Sequence, residues 1–259
     1  MGLAGKTAVV MGASRQGNMG QAIALRLMAD GAKVVVSGRS KDELDRFAAE
    51  TGAMAIPCDL ADRAQVFDLF EQAKARLGKV DIAVNAGATG HYTDFEETTE
   101  EIIDEMLSII FKGGFFFMQA AVGAMKDHGG AIVTVTSAVA TIMFENHAAY
   151  MGAKAGIEHV TRTVANEYGK YGIKANIVAP GLTATPMTQA MITPAVEACF
   201  AREVPLGRIN TVEDVANAVA FAVSDDCFMS GQTLHVTGGL TLRRNPNAAE
   251  YMAALQGVG

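Results

Sequence analysis

The chain has 259 residues, half of them hydrophobic and 19% charged, and carries a formal charge of −7. That balance excludes a disordered chain, and the length is enough to bury a core without disulfide or metal staples. The acidic balance argues against general nucleic-acid binding, because neutralising phosphates needs a basic surface.

Residues 7–11 (TAVVM) read as a compact apolar strand that runs into a glycine-rich turn. Residues 21–30 read as a helix, with Ile23, Leu25, Leu27 and Met28 as its apolar residues and Gly31 as its stop. A second strand is expected at 33–37, then a helix at 42–51 closing at Gly52. A third strand follows at 54–58, a helix at 66–77 and a fourth strand at 81–85. Residues 100–125 read as one long helical run interrupted by Gly113-Gly114. A fifth strand (131–136), a helix (149–168), a sixth strand (174–179) and a seventh (232–236) complete the alternation.

Several of these strands are apolar throughout rather than alternating, as strands buried on both faces of a parallel sheet are. Right-handed crossovers then give an α/β fold: one doubly wound, Rossmann-type parallel sheet of about seven strands with helices on both faces. No linker or repeat divides the chain, so 1–259 is expected to be one domain.

Cys58, Cys199 and Cys227 form an odd set with no Cys-x-x-Cys spacing, which fits reduced thiols in the cytoplasm and offers no metal site. No signal peptide precedes the first apolar run. The longest uncharged stretch, 175–196, contains Pro180, Pro186 and Pro194, so no membrane contact is expected.

The turn after the first strand is Gly12-Ala13-Ser14-Arg15-Gln16-Gly17-Asn18-Met19-Gly20. Glycines here let the backbone approach a pyrophosphate, and the following helix N-terminus supplies free N–H groups. Any tight strand-to-helix turn can carry glycines, but three at the first such turn favour a nucleotide. The second strand ends in Ser37-Gly38-Arg39-Ser40. An acid here would hold the ribose 2′-hydroxyl of NAD(H). Gly38 offers none, while the Arg39 fork suits a 2′-phosphate, with Arg15 as a possible assistant. NADP(H) is therefore preferred and NAD(H) remains possible. Asp59 could accept from the adenine amino group or cap a helix.

Ser137 ends the fifth strand, and Tyr150 and Lys154 share one helix face at i and i+4. A free tyrosine titrates near about 10, too high for a base at neutral pH. A neighbouring ammonium favours the phenolate, so Tyr150 becomes a candidate general acid/base, with Ser137 bonding the reacting oxygen. A Tyr-x-x-x-Lys pair alone arises easily by chance. Together with Ser137, the glycine turn and the alternating architecture it carries weight.

At this point the sequence resembles the short-chain dehydrogenase/reductase family, classical type, from the glycine turn to Val236-Thr237-Gly238-Gly239. Asn85-Ala86-Gly87 is similar to the family's Asn-Ala-Gly element. Ser137, Tyr150 and Lys154 match its catalytic residues and their spacing. Pro180-Gly181, with Thr183 and Thr185, resembles the segment that holds the nicotinamide amide and phosphates. The resemblance implies a cofactor site of Gly12, Ser14, Arg15, Gly17, Met19, Gly20, Arg39, Asp59, Leu60, Asn85, Ala86, Gly87, Tyr150, Lys154, Pro180, Gly181, Thr183 and Thr185. It also implies that hydride passes between nicotinamide and a carbonyl carbon, while Tyr150 gives or takes the proton, Ser137 orients the oxygen, and Lys154 bonds the ribose.

Three departures stand out. Gly12, Gly17 and Gly20 are more widely spaced than the family pattern, by about two residues in the loop. Ile110 stands where the family has a catalytic asparagine; only its backbone carbonyl could bond a relay water, and only if the helix is locally kinked. Thr237 replaces an aspartate before the final glycine pair, and one asparagine rather than two precedes Ala86; both read as local packing differences.

The segments expected to meet substrate carry His91 and Tyr92; Val139, Ile142, Met143, Phe144 and His147; and, in a substrate loop at 182–206, Leu182, Met187, Met191, Ile192 and Phe200. The set is apolar and rich in adaptable methionine. The leading expectation is an NADP(H)-dependent carbonyl reductase or secondary-alcohol dehydrogenase acting on a hydrophobic ketone, cyclic or aromatic ones included. The alternative is a 3-oxoacyl-thioester reductase, which would want basic residues at the pocket mouth; no cluster is evident near the loop. A dehalogenase-like lyase is disfavoured by Lys154, and a non-catalytic nucleotide sensor by the intact Ser137-Tyr150-Lys154 set, although Ile110 keeps the sensor open. A homotetramer is expected, with the helices at 100–125 and 149–168 pairing across a two-fold axis. The tail at 240–259, through Tyr251, Met252 and Leu255, is expected to form a short helix near an interface.

Overall fold

A computed structural model describes residues 2–186, 188–189 and 191–257; Met187 of the expected substrate set lies outside the described residues. Strand β1 (Thr7–Met11) is buried along its whole length. Val9 and Met11 enter one core while Ala8 and Val10 enter the other. Covering on both faces is why the run is apolar without a period of two. The first half continues through α1 (Met19–Ala29), β2 (Lys33–Gly38), α2 (Lys41–Thr51), β3 (Met54–Pro57), α3 (Arg63–Leu77) and β4 (Ile82–Asn85). The second half runs α4 (Glu100–Met106), α5 (Gly113–Met125), β5 (Gly130–Val135), α6 (Ala148–Tyr168), β6 (Ile173–Pro180), α7 (Pro194–Ala201), α8 (Val212–Val223), β7 (Thr233–Val236) and α9 (Ala248–Leu255).

The strands form one parallel sheet in the order β3-β2-β1-β4-β5-β6-β7. The expected doubly wound sheet is therefore present. Helices α1, α2 and α8 supply one core, and α3, α5 and α6 the other. An edge-to-face pair, Phe70 against Phe117 at 5.1 Å, fastens α3 to α5. The chain begins at the centre, moves out to β3, and returns to lay β4 on the other side of β1. That reversal puts the topological switch point at the carboxyl ends of β1 and β4, where open α/β sheets bind ligands.

The structure corrects several readings. Helix α1 starts at Met19 because Asn18 caps it, its side chain accepting from the Gln21 N–H. Asp62, not Asp59, caps α3. The run from 100 to 125 is not broken at Gly113-Gly114. It widens earlier, at Leu107–Lys112, into a π-helix in which the Gly113 N–H bonds the Ser108 carbonyl. The two glycines answer a packing demand instead. A Cβ at Gly113 would lie 2.6 Å from the Leu60 carbonyl oxygen, and one at Gly114 would lie 2.9 Å from the Ile157 side chain. By length and composition this run could cross a membrane, yet half of its most apolar window is buried in the fold. Helices α7 and α8 add to the elements read from the sequence; α8 opens on a capping box of Thr211 and Asp214, a legible signal.

Candidate active site

Gly12 leaves β1 with φ of +96°, and a Cβ there would come within 2.6–2.7 Å of the Ala86 and Gly87 backbone. The exits of β1 and β4 are thus pressed together. The Ala86 N–H donates to the Met11 carbonyl at 3.0 Å, and Asn85 Oδ1 accepts from the Gly87 N–H at 3.0 Å. A Cβ at Gly20 would strike the Gly12 carbonyl, so the first turn of α1 sits directly on the loop. Leu60 lies 2.8 Å from the Cβ position of Gly87.

The widened loop is tied rather than slack. Asn18 Nδ2 donates to the Gly12 carbonyl at 2.8 Å, Gln21 Nε2 to the Ala13 carbonyl at 3.0 Å, and Gln21 Oε1 accepts from the Gly17 N–H at 3.0 Å. Gly17 has φ of +69° and open space around it. Ser14 packs against Gly38, and Arg15 and Arg39 are both exposed. Met19 is half-buried at the start of α1. Close backbone approach, an open glycine, a helix N-terminus and two exposed cations are the features a dinucleotide with a 2′-phosphate would use. Asp59 Oδ1 accepts from the Ala61 N–H at 3.0 Å, in a turn rather than a helix cap.

At the end of β6, beyond Pro180, the Gly181 N–H donates to the Val236 carbonyl at 3.0 Å. Thr183 is buried and its hydroxyl donates to the Gly181 carbonyl at 2.9 Å, while the Thr185 hydroxyl lies 3.0 Å from that of Thr188. These residues stand at the same carboxyl edge of the sheet as the glycine loop.

Helix α6 carries Tyr150 and Lys154 to the end of β5, where Ser137 emerges. Lys154 is buried, its Nζ donating to the Val135 carbonyl at 3.0 Å and lying 5.6 Å from the Tyr150 ring centre. Burial pulls Lys154 down to about 8, with the Glu158 carboxylate opposing. Burial pushes Tyr150 up to about 12, with the Ser137 hydroxyl opposing. The direction differs from the lowering by Lys154 expected from the sequence: loss of solvent around the phenolate raises Tyr150, and the group that opposes it is Ser137. A phenol raised in this way favours its protonated form, the form that can donate a proton to a ketone oxygen.

Beside Tyr150 lies an aromatic cluster. The His147 ring is 4.7 Å from Tyr150, 5.7 Å from Phe144 and 6.2 Å from Tyr92. Burial holds His147 below the ordinary histidine range. Its Nδ1 and the Tyr92 hydroxyl are buried without a well-formed hydrogen bond. His147 is therefore a half-buried member of this ring cluster, not a fully solvated helix-start residue. Phe200 and Tyr251 complete the cluster, Tyr251 packing 5.4–6.0 Å from Tyr92, Phe144 and Phe200. Leu182 and Ile192 join them, Met191 meets the Tyr251 hydroxyl, and Met143 and His91 are exposed.

Sequence reading placed Tyr251 in a tail helix but not at the site. Helix α9 forms as expected and docks on α7 of its own chain, tied down by Asn245 Nδ2 to the Met143 carbonyl (3.0 Å) and by Arg244 to Glu203 and Glu250. Folding also joins two basic segments. Arg243 donates to the Arg202 carbonyl at 3.0 Å, and both side chains are exposed beside α7.

A family model described as enoyl-(acyl carrier protein) reductase matches residues 12–241. The chain is 37% identical to the 3-oxoacyl-[acyl-carrier-protein] reductase FabG of Escherichia coli, covering 93% of this chain and 99% of that one. It is 34% identical to the hydroxynaphthalene reductase-like protein Arp2 of Metarhizium brunneum, covering 92% and 95%. In fold it matches a short-chain type dehydrogenase/reductase from Mycobacterium ulcerans with a TM-score of 0.92 over the full length of both chains, at 24% identity. The chain belongs to the short-chain dehydrogenase/reductase family of oxidoreductases.

Proposed function

We propose that the chain is an NADP(H)-dependent ketoreductase in which Tyr150 is the proton donor. The half-buried Tyr150 ring, with the buried Lys154 Nζ 5.6 Å from its centre, carries this reading. Ser137 orients the carbonyl oxygen, and Lys154 reaches the cofactor ribose and offsets charge left on Tyr150. The glycine loop, Asn85-Ala86-Gly87 and the Pro180 to Thr185 segment hold the dinucleotide, and Arg39 with Arg15 receives its 2′-phosphate. The cofactor supplies the hydride.

The acceptor best supported is a 3-oxoacyl thioester. Relatives at 31–37% identity bear the name 3-oxoacyl-[acyl-carrier-protein] reductase, and they favour this alternative over the compact ketone. The exposed Arg202 and Arg243 offer the basic edge an acidic carrier would meet. One observation favours the compact aromatic ketone as a second reading: the ring cluster of Tyr92, Phe144, His147, Phe200 and Tyr251 beside Tyr150. NADPH oxidation with the N-acetylcysteamine thioester of 3-oxobutanoate and with 2-tetralone separates the two. Tyr150→Phe should reduce turnover of whichever is used by about 10² or more, with cofactor binding intact. Near-normal turnover in that variant overturns the reading.

The setting we propose is a cytoplasmic homotetramer. Ile103, Leu107 and Phe115 leave an apolar stripe exposed along the α4–α5 run, and α9, seated on α7, keeps Met252 outward for a neighbour. Light scattering tests this, and a monomer refutes it.

A further inference from the structure

Three successive turns of α6 engage three consecutive residues at the end of β5. Tyr150 faces Ser137, Lys154 Nζ binds the Val135 carbonyl, and Glu158 binds the residue between them. Glu158 Oε1 accepts from the Thr136 hydroxyl at 2.8 Å. Its Oε2 accepts from Arg162 Nη2 at 3.0 Å and lies 3.5 Å from the Thr233 hydroxyl. Arg162 Nη2 also donates to the Thr233 hydroxyl at 2.9 Å. Glu158 is 4% exposed, whereas the Arg162 side chain is 43% exposed.

A carboxylate this deeply buried is costly unless its charge is used or matched. The half-exposed Arg162 matches it only from the solvent side. From the other side the charged group is Lys154, one turn away on the same face of α6. The remaining neighbours bring little charge. The residue just past β5 offers the Thr136 hydroxyl, and β7 offers Thr233 with the exposed His235 two residues on. Strand β6, between them, sets the buried, uncharged Ile177 level with Thr233 and Ala179 level with His235.

We propose that Glu158 is a positioning residue: fixed by Thr136 and Thr233, its carboxylate keeps Lys154 in the ammonium form in a site that otherwise disfavours charge. The proposal rests on the reading of Tyr150 and Lys154 as the working pair. Burial pulls the Lys154 ammonium toward deprotonation, and Glu158 is the group that opposes it. Without that carboxylate, Lys154 loses its proton at lower pH, and with it the cation facing the ribose and Tyr150.

The test is a pH titration of the full-length protein labelled at lysine Cε with 13C, the Lys154 resonance being assigned with Lys154→Arg. Glu158→Gln keeps an acceptor for Thr136 but removes the charge and leaves Arg162 unmatched. Its Lys154 midpoint should fall by about one unit or more. Arg162→Gln removes the competing cation, and its midpoint should rise. The alkaline limb of NADPH-dependent ketone reduction should move with each midpoint. A purely structural Glu158 would lower the melting temperature in both variants and shift the midpoint in neither. A midpoint unmoved in Glu158→Gln, or lowered in Arg162→Gln, overturns the proposal. If Glu158→Gln does not fold, a rise in Arg162→Gln supports it and the absence of a rise overturns it. Tyr150→Phe remains a separate test: normal turnover there ends the acid reading while the Lys154 titration stands on its own.

Discussion

Gly38 sets a steric limit on any change of cofactor. It ends β2, where a carboxylate would grip the ribose of NAD(H). A Cβ built there lies 2.6 Å from Ser14 Oγ and 2.8 Å from Ser14 Cβ, while ordinary contact begins at 3.4 Å. The overlaps are therefore about 0.8 and 0.6 Å. The Ser14 hydroxyl can rotate away. Its Cβ can move only with the glycine loop, which the Gly12 and Ala13 N–H groups pin to the Ser37 carbonyl at 2.8 and 2.9 Å. Overpacking of this kind costs about 1–3 kcal/mol. Charged to the loop's bound shape, that is about 5- to 150-fold in cofactor affinity. Gly38→Ala should weaken NADPH and NADH alike, because alanine brings no charge, and adding Ser14→Gly should restore both. Gly38→Asp should favour NADH only in the Ser14→Gly background. Titrations of cofactor fluorescence decide it. Wild-type NADPH affinity in Gly38→Ala, or no rescue by Ser14→Gly, refutes the steric argument.

Arg39→Asp should erase or reverse a preference for NADPH, worth about tenfold or more in relative affinity, since it swaps a phosphate partner for a repelling carboxylate. Equal wild-type affinities unchanged by the substitution count against NADP(H). Tyr251→Ala removes a ring packed on three others and should loosen α9 and α7 at a local cost of about 3–5 kcal/mol. KM for 2-tetralone should rise far more than KM for the thioester; an unchanged KM for both removes Tyr251 from the site. Ile110→Asn buries an amide in the core that holds the 3%-exposed Ile110 side chain, so the melting temperature should fall by the equivalent of about 1–3 kcal/mol. Turnover per folded molecule should hold if the π-helical backbone supplies the bond an asparagine would make. A clear gain in turnover would show that the missing side chain limits the rate.

Much of the fold was legible because its causes are local. β1 reads as buried on both sides because Ala8, Val9, Val10 and Met11 leave no polar face. Tyr150 and Lys154 read as partners because helix geometry alone aligns them. Glu158 lies one further step along the same row and was open to the same reading. Other features had no local sign. Gly113-Gly114 looks like a helix break in one dimension, and only the approach of Leu60 and Ile157 reveals it as close packing. Asp59 and Asp62 are alike in sequence; the start of α3 selects Asp62 as the cap. The contact of Asn245 with Met143 spans 102 residues, and that of Arg243 with Arg202 spans 41. No periodicity encodes either.

These two kinds of legibility divide along the site itself. The groups we propose to handle the proton sit on α6 and at the end of β5, where consecutive turns of one helix bond the Val135 carbonyl through Lys154 and the Thr136 hydroxyl through Glu158. That arrangement is stiff, and its spacing is written into the sequence. The groups that would select substrate come from α7, α9 and the segments carrying Tyr92 and Phe144, which meet through rings and a few side-chain bonds. A change at Tyr251 or Phe200 can therefore reshape the pocket while leaving the Lys154 bond to β5 untouched. A change at Glu158 should do the reverse, altering the charge of the proton-handling pair for every substrate alike. If Tyr251→Ala and Glu158→Gln both shift KM between 2-tetralone and the thioester, and neither moves the alkaline limb, the division is wrong and the site acts as one coupled unit.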